Sequence, residues 1–173
     1  NAKKIFISSG MASLKEISEA IKILKKNKKI EKNLFLMHCH SDYPTNLRDV
    51  NLLAMQTLKN FFKVKIGYSD HTTGSKVGIA AVSLGAQVIE KHFTLSKKLQ
   101  GPDHKASLEP DELKKFIEDI RDTEILLGSS IKKVSTKELV NKKFVRKSIV
   151  AKKFIEKGQK FLETNIICKR PEG

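Results

Sequence analysis

An acidic and an imidazole side chain stand inside a short apolar segment, "VIEKHFTL", at 88–95. Side chains alternate along a strand, so Glu90 and His92 would project from the same face. Both groups are costly to bury without polar partners. Carboxylates and imidazoles are also ligands of divalent metal ions. The segment therefore indicates either a structural polar pair or part of a metal or catalytic site.

A second imidazole strengthens the metal hypothesis. His71 lies in "GYSDHTTG", which ends the apolar segment that precedes "VIEKHFTL" along the chain. One isolated histidine is more often structural, but two at neighbouring strand ends favour a metal or catalytic role. Together with Glu90 they could hold a divalent ion and leave positions open for substrate. Two imidazoles alone would favour Zn²⁺ or Fe²⁺.

Other polar residues are open to more than one interpretation. His38 and His40 flank Cys39, and for such a strand-end histidine a hydrogen bond to a backbone carbonyl is the favoured interpretation over a metal site. Nothing in the sequence indicates a base near Cys39, so a nucleophilic role has little support. Asp103 and His104 lie in a long loop, "LQGPDHKASLEP", and could cap the next helix or reach the site.

The elements that would position these residues alternate in type. Four apolar strands, within "KIFIS", "LFLMHC", "VKIGYS" and "QVIEKHF", are each followed by a predicted helix. This order predicts βαβ units and a parallel sheet, and the regular spacing favours a (β/α) barrel. A complete barrel has eight units, with its site at the carboxyl ends of the strands. The sequence therefore predicts an α/β half-barrel over 1–128, with polar residues at every strand end.

The pattern changes after Gly128. Residues 129–142 are polar and lack a sustained period, which predicts a linker. Residues 143–173 contain short strand-like runs and a turn at Lys157 and Gly158, which predicts the start of a small, mostly β domain. The chain begins without methionine, and we expect it to be part of a longer protein.

Composition limits the classes of function. The net charge is +15, and residues 129–173 contribute +9 of it through 13 Lys/Arg against 4 Asp/Glu. A basic module that binds nucleic acid or polysaccharide is one hypothesis, but few aromatic residues stand among the lysines, and the unusual residues collect at strand ends. Cys39 and Cys168 form no CxxC pattern, which favours a reducing, cytoplasmic setting. No apolar run approaches the roughly 20 residues that span a membrane.

Several motifs occur together, in order, over nearly the whole chain: "SSGM", "HC…YPT", "GYSDHT", "EKHFTL", "GPDHKASLEPDEL" and "RKSIVA…KRP". They resemble the N-acetylneuraminate (sialic acid) synthase family. The resemblance implies the C-terminal half of a (β/α)8 TIM barrel, followed by the start of an antifreeze-like (SAF) domain. It also implies an enzyme that condenses phosphoenolpyruvate with an N-acetylmannosamine-type sugar, giving a nine-carbon 2-keto-3-deoxy sugar acid and phosphate.

The resemblance further implies which residues form the metal site. The two metal-binding histidines of the family fall on His71 and His92, and Mn²⁺ is the usual ion. Glu90 and Asp103 match acidic residues around the metal and the sugar, with catalytic roles.

Substrate-binding residues follow from the same resemblance. Ser8 and Ser69 match serines that bind the phosphate and carboxylate of phosphoenolpyruvate, and Tyr43 matches a substrate-contacting tyrosine. Phe144 matches an aromatic residue that packs on the acetamido methyl group. Arg170 matches an arginine that binds the acetamido oxygen from the other subunit of a domain-swapped homodimer.

The chain also departs from the family pattern. Ser41 and Asp42 stand in the loop after the "HC" strand, where many members have other residues, and the role of Asp42 stays open. The family's two phosphoenolpyruvate-binding lysines belong to the other half of the barrel, so we expect the 173-residue chain alone to be inactive. Related synthases that make legionaminic or pseudaminic acid from a diacetamido-trideoxy sugar remain alternatives.

Overall fold

The computed structural model of this chain describes residues 3–171, apart from the side chain of Lys29. The chain divides into two compact units, Asn1–Gly128 and Ser129–Gly173. The division falls at Gly128, where the alternation of strands and helices ends in the sequence.

The first unit is a four-stranded parallel sheet with the helices that connect its strands. The strands are β1 (Ile5–Ser8), β2 (Leu34–Cys39), β3 (Lys65–Asp70) and β4 (Ile89–Lys91), and they neighbour one another in the order of the chain. The helices are α1 (Leu14–Lys25), α2 (Lys28–Glu31), α3 (Ala54–Phe62), α4 (Lys76–Ser83) and α5 (Pro110–Leu127). Sequential parallel strands with helical crossovers confirm the predicted half of a (β/α) barrel.

One face of the sheet packs against the helices and forms the main core. The strand residues Leu34, Leu36, Ile66 and Tyr68 are almost completely buried there. The helices contribute Ile17, Ile21, Met55, Leu58, Phe62, Val77 and Ala81. The helical spacing of these apolar residues gives each helix an apolar face toward the sheet. Burial of each large side chain contributes about 1.5–3 kcal/mol to the free energy of folding.

The opposite face, called the inner face below, carries most of the chemistry. Strand register places Cys39 beside Ser69 and Ser69 beside Glu90, so these residues share the inner face. Gly67 lies lower on this face, where an added Cβ would stand 2.4 Å from the sulfur of Met37. The pleat therefore separates an apolar, helix-facing side from a more polar inner side.

The fourth strand is shorter than the sequence predicts. β4 ends at Lys91, and His92 follows it. Phe93 forms an isolated parallel bridge with Leu108, so the returning loop continues the pairing of the strand. Phe93 lines a groove beside Ile117 of α5 and remains half exposed.

The second unit contains a helix that the sequence analysis missed. Helix α6 (Thr136–Val145) occupies much of the segment predicted as a linker and includes Phe144. Ser135 caps it, and Glu138 completes the capping box. No residue within α6 is buried, so it lacks the apolar stripe on which the period analysis depends. Part of the segment 129–142, which is predicted to be a linker without a sustained period, is therefore helical.

The remainder of the second unit agrees with the predicted β character. Strands β5 (Ser148–Ala151) and β6 (Ile166–Lys169) form an antiparallel pair. The buried side chain of Asn165 accepts a hydrogen bond from the backbone of Leu162 and donates one to the backbone of Lys160, which orders the connection before β6. That this unit begins a SAF domain stays a prediction. Over the described residues, none of the helices combines the length and apolar character required of a membrane span.

Candidate functional site

The imidazole of His71 is held in one orientation at the end of β3. Its Nδ1 lies 2.5 Å from the backbone oxygen of His40, and its own backbone oxygen accepts a hydrogen bond from Thr45 at 2.9 Å. Because a carbonyl oxygen can only accept, Nδ1 carries the proton and donates. In the neutral ring the lone pair is then on Nε2, which is the atom available to bind a metal.

Two hydroxyl groups converge on that nitrogen. The oxygens of Tyr43 and Ser69 each lie 3.1 Å from Nε2 of His71. The ring of Tyr43 also stacks on the imidazole, with centroids 4.0 Å apart and planes inclined by 26°. Since Nε2 is the acceptor, the hydroxyls are the donors. Both groups therefore mark the position that a ligand of His71 would occupy.

The phenol of Tyr43 stays protonated at neutral pH. Its pKa is raised above the usual value of 10.0, chiefly by burial and further by interactions with Cys39, Asp103 and Glu90. A neutral phenol can donate a hydrogen bond to His71 or to a bound anion. The side chain is also half exposed, so a substrate could reach it.

His92 lies across from His71. The two ring centroids are 5.7 Å apart and the planes are nearly perpendicular, at 88°. The ring of Tyr43 is 5.2 Å from that of His92 and contacts it edge-on. Nδ1 of His92 is 3.9 Å from a carboxylate oxygen of Asp103, which is close but beyond hydrogen-bond distance. The structure thus brings both predicted histidines, Tyr43 and Asp103 into one cluster.

The residues predicted to contact phosphoenolpyruvate lie on the same inner face. Ser69 is buried, whereas Ser8 is exposed, and the Ser8 hydroxyl is 2.9 Å from the thiol of Cys39. Cys39 is the register partner of Ser69 and lies between the two serines. Glu90, the register partner of Ser69 on β4, is exposed. Ser8, Ser69 and Glu90 therefore lie on the inner face, near the carboxyl ends of β1, β3 and β4.

This donor set fits a divalent ion that takes part of its coordination from water or substrate. Among residues 3–171, no group of three or more His, Cys, Asp or Glu side chains is positioned to hold an ion. Nε2 of His71 and the ring of His92 are the nitrogen donors available to such an ion. Oxygen ligands would complete its coordination, and these suit Mn²⁺.

The remaining strand-end histidines have other contacts. Nε2 of His38 donates to the backbone oxygen of Val50 at 2.9 Å, and its ring lies beside Tyr68 on the helix-facing side. This confirms the interpretation of His38 as a histidine bonded to a backbone carbonyl. His40 contributes its backbone oxygen to the site, through His71. Its ring accepts a hydrogen bond from the backbone of Asp42 at 3.3 Å.

The long loop before α5 is fixed by its own hydrogen bonds. His104 binds the hydroxyl of Thr94 at 2.7 Å, and the backbone oxygen of Asp103 accepts hydrogen bonds from Ala106 and Ser107. The helix is capped by Glu109 rather than by Asp103 or His104. The loop therefore carries Asp103 to the site, and His104 anchors the loop.

A buried ion pair lies behind the site and was missed in the sequence. Nζ of Lys91 is 3.0 Å from Oδ2 of Asp70, and the two side chains are 4% and 0% exposed. Oδ2 has no well-aligned hydrogen bond from any described residue, so this contact is an ion pair rather than an aligned hydrogen bond. Burial lowers the pKa of Lys91, and Asp70 opposes that change. The signal in the sequence that could have predicted the pair is that Asp70 and Lys91 carry opposite charges at the ends of neighbouring strands.

Two predicted residues belong to the second unit. Phe144 is on α6 and Arg170 follows β6, and both are exposed. The first unit alone forms the cluster described above. The predicted roles of Phe144 and Arg170 in binding the acetamido group therefore stay predictions.

The fold and the site together define a barrel-type α/β protein whose polar side chains collect at the carboxyl ends of parallel strands, as in barrel enzymes. The model of the NeuB family matches residues 1–132. The chain belongs to the NeuB family.

Proteins similar to the chain include a legionaminic acid synthase, a pseudaminic acid synthase and a sialic acid synthetase. The chain is 54% identical to the N,N'-diacetyllegionaminic acid synthase of Campylobacter jejuni, over 98% of this chain and 51% of the relative. It is 38% identical to the pseudaminic acid synthase of Helicobacter pylori, over 98% of this chain and 49% of the relative. The crystal structure of the N-acetylneuraminic acid (sialic acid) synthetase of Leptospira borgpetersenii, in complex with citrate, superposes with a TM-score of 0.72 at 40% identity. It covers 80% of this chain and 47% of that one. The chain thus spans about half the length of these relatives, whose likeness confirms the predicted family and the half-barrel.

Proposed function

We propose that the whole protein containing this chain condenses phosphoenolpyruvate with an N-acetylated amino sugar aldehyde. The products are a nine-carbon 2-keto-3-deoxy sugar acid and inorganic phosphate. The observation that carries the proposal is the cluster of His71, His92, Tyr43 and Ser69 at the carboxyl ends of a NeuB-family half-barrel.

The bonds that change follow from the two substrates. C3 of phosphoenolpyruvate attacks C1 of the open-chain sugar and forms the new carbon–carbon bond. Water then adds at C2, and phosphate leaves with cleavage of the C–O bond. The protein must therefore bind an anionic three-carbon substrate beside an aldehyde and hold a water molecule near both.

His71 and His92 would hold a divalent ion, which we propose is Mn²⁺. When bound, such an ion supplies Lewis-acid polarisation of the aldehyde oxygen. The hydrogen bond from Nδ1 of His71 to the backbone of His40 keeps Nε2 directed at this position.

Hydroxyl groups on the inner face suit the anionic substrate. Ser8 and Ser69 are assigned to its phosphate and carboxylate, on either side of Cys39. Tyr43 presents a neutral phenol, which can donate a hydrogen bond to substrate. Glu90 and Asp103 are both exposed near the end of β4 and can accept hydrogen bonds from the sugar or from the water.

The acetamido group of the sugar is assigned to the second unit. We propose that Phe144 packs on its methyl group and that Arg170 donates to its oxygen from the partner subunit of a domain-swapped homodimer. Both side chains are exposed within their own unit, as such roles require.

Two classes of sugar are candidates. The motifs resemble those of sialic acid synthases, which supports N-acetylmannosamine as the first candidate. The 54% identity to a diacetyllegionaminic acid synthase, against 40% to a sialic acid synthetase, supports a diacetamido-trideoxy sugar as a second candidate. The residues quoted above bind groups common to both sugars and do not separate them.

Phosphate release tests the proposal. The purified whole protein would be incubated with phosphoenolpyruvate, Mn²⁺ and one sugar at a time: N-acetylmannosamine, each diacetamido-trideoxy sugar, or mannose as a control without an acetamido group. We expect sugar-dependent release with one acetamido sugar, and a product whose mass equals both substrates plus water minus phosphate. Release that is independent of sugar, or absent with every acetamido sugar, would contradict the proposed reaction.

A further inference from the structure

The buried Asp70–Lys91 pair joins the two strand ends that carry the histidines. Asp70 immediately precedes His71, and Lys91 immediately precedes His92. The two residues are register partners on β3 and β4, with Nζ of Lys91 3.0 Å from Oδ2 of Asp70. Their side chains point to the helix-facing side, and the imidazoles lie on the inner side.

The pair also fixes the backbone just beyond His71. Oδ1 of Asp70 accepts hydrogen bonds from the backbone nitrogen of Thr72 at 2.9 Å and from its hydroxyl at 2.7 Å. Lys91 donates to the backbone oxygen of Thr72. His71 therefore lies between Asp70, a member of the ion pair, and Thr72, which is hydrogen-bonded to both members. A shift of either partner would move the ring of His71 relative to that of His92.

The helices close over the pair from behind. A Cβ on Gly78 of α4 would stand 2.4 Å from Cζ of Phe116 on α5 and 3.5 Å from Oδ2 of Asp70. The glycine thus allows a phenyl ring and the helix backbone to approach the carboxylate, which is fully buried. In this setting the ion pair is shielded from water, and fold stability alone does not explain it, because buried pairs can often be replaced by apolar residues without loss.

We propose that Asp70 and Lys91 are positioning residues, which set the separation and direction of the two imidazoles for binding of the metal ion. This role rests on the proposed function, because it assumes that His71 and His92 share an ion. Residues on the helix-facing side of the sheet would thus orient the metal ligands on the inner face. Mutation of groups that orient metal ligands typically weakens metal affinity by about 10- to 100-fold.

Direct binding of Mn²⁺ to the whole protein, followed by electron paramagnetic resonance of the free ion, tests this role without relying on activity. Asp70→Asn and Lys91→Met should each weaken Mn²⁺ binding by at least about tenfold at a temperature where circular dichroism shows the fold intact. Lys91→Arg keeps the charge and should recover part of the affinity. In turnover assays kcat should fall more than the KM for sugar changes, since the sugar contacts remain.

The double variant separates positioning from folding. Asp70→Asn combined with Lys91→Met leaves no unpaired buried charge, so its unfolding midpoint should recover toward that of the parent. Its Mn²⁺ affinity should stay low, because the backbone pairing of β3 and β4 remains but the side-chain link between the two strand ends is lost. Lys115→Met and Asp119→Asn remove an exposed ion pair on α5 and should change neither property.

Parental Mn²⁺ affinity in the folded double variant would overturn the positioning role and leave the proposed reaction standing. Absence of Mn²⁺ binding by the parent protein would overturn the metal site of the proposed function, and the positioning role with it. If Mn²⁺ affinity is weak in the single variants but returns to the parental value in the double variant, together with the unfolding midpoint, the pair serves folding alone.

Discussion

His38 and His71 each donate a hydrogen bond to a backbone oxygen, but through different ring nitrogens and on opposite faces of the sheet. His38 uses Nε2, toward Val50, and lies among the helices. His71 uses Nδ1, toward His40, so its Nε2 faces the inner side, where Tyr43 and Ser69 meet it. The same side chain is structural in one position and available for ligand binding in the other.

This difference makes His38 a matched control for the metal site. In the whole protein, His71→Ala and His92→Ala should each abolish detectable Mn²⁺ binding and most turnover, because each removes one of the two imidazole donors. His38→Ala should bind Mn²⁺ like the parent, while an unpaired carbonyl at Val50 lowers the free energy of unfolding by about 1–3 kcal/mol. Calorimetric titration with Mn²⁺ and urea unfolding measure the two effects. Parental Mn²⁺ binding by either site variant would remove that histidine from the metal site.

The carboxylate of Glu90 should affect turnover more than metal binding. Glu90→Gln keeps the shape of the side chain but removes its charge. The residue is exposed on β4, where it is the register partner of Ser69 on β3. We expect Mn²⁺ affinity to stay near the parental value while kcat falls by about 10²- to 10⁴-fold, as when a general acid or base is lost. Phosphate release at saturating substrate measures kcat. An unchanged kcat would show that Glu90 takes no part in the reaction.

The sequence predicted the half-barrel because two periodicities persist along it. Apolar residues at helical spacing, such as Ile17 and Ile21, alternate with short apolar strands, and both follow from burial against one sheet. The positions of His71 and His92 were also predictable, since the carboxyl ends of parallel strands meet on one side of the sheet. What the register adds is which face each residue occupies.

The failures have physical causes as well. Helix α6 buries none of its residues, so it has a capping signal at Ser135 but no apolar stripe. The burial of Lys91 does not follow from its own segment, because lysine is rarely buried unless it is paired. Its partner Asp70 lies 21 positions earlier, next to His71, and only the register of β3 and β4 brings the two together.

The hydrogen bond between Thr94 and His104, which anchors the loop that carries Asp103, should lower the KM for sugar. Thr94→Val and His104→Ala each remove the hydrogen bond that ties the loop to the end of the strand. Loss of one such bond is worth about 0.5–1.5 kcal/mol, or roughly a 2- to 13-fold rise in the KM for sugar, with little change in the KM for phosphoenolpyruvate. Lys105→Ala, an exposed neighbour in the same loop, serves as the control. Equal effects on both substrates would show that the anchor does not act through Asp103.

Close packing on the inner face predicts a large effect of a single methyl group. In Gly67→Ala the new Cβ would lie 2.4 Å from the sulfur of Met37 and 2.9 Å from the backbone oxygen of Val88. We expect a loss of about 1–3 kcal/mol in the free energy of unfolding, measured with urea. Adding Met37→Ala relieves the contact with sulfur but leaves the contact with the backbone, so it should not restore parental stability. A neutral Gly67→Ala substitution would contradict the described packing of Met37 and Val88 against Gly67.

Arg170 tests whether the second unit completes the site. Its guanidinium is a planar donor suited to an acyl oxygen, and hydrogen bonds to charged groups contribute about 1.5–3 kcal/mol. Arg170→Ala should therefore raise the KM for the acetamido sugar by roughly 10- to 150-fold and leave the KM for phosphoenolpyruvate nearly unchanged. Lys169→Ala removes the neighbouring exposed charge and should have little effect on either KM. Unchanged sugar kinetics in Arg170→Ala would leave this residue as a solvated surface charge.

At a sugar concentration too low for Arg170→Ala to turn over appreciably, mixing this variant with His71→Ala distinguishes an arginine from the same subunit from one supplied by the partner. In a domain-swapped dimer, one Arg170→Ala subunit and one His71→Ala subunit form one site with both residues intact and one site with neither. Unfolding and refolding an equal mixture makes about half of the dimers mixed, so about a quarter of the parental activity should return. If each site takes both residues from one chain, every site in the mixture carries a defect and no activity returns. That result, with mixed dimers confirmed by a tag on one variant, would contradict the proposed swap and leave the metal site unaffected.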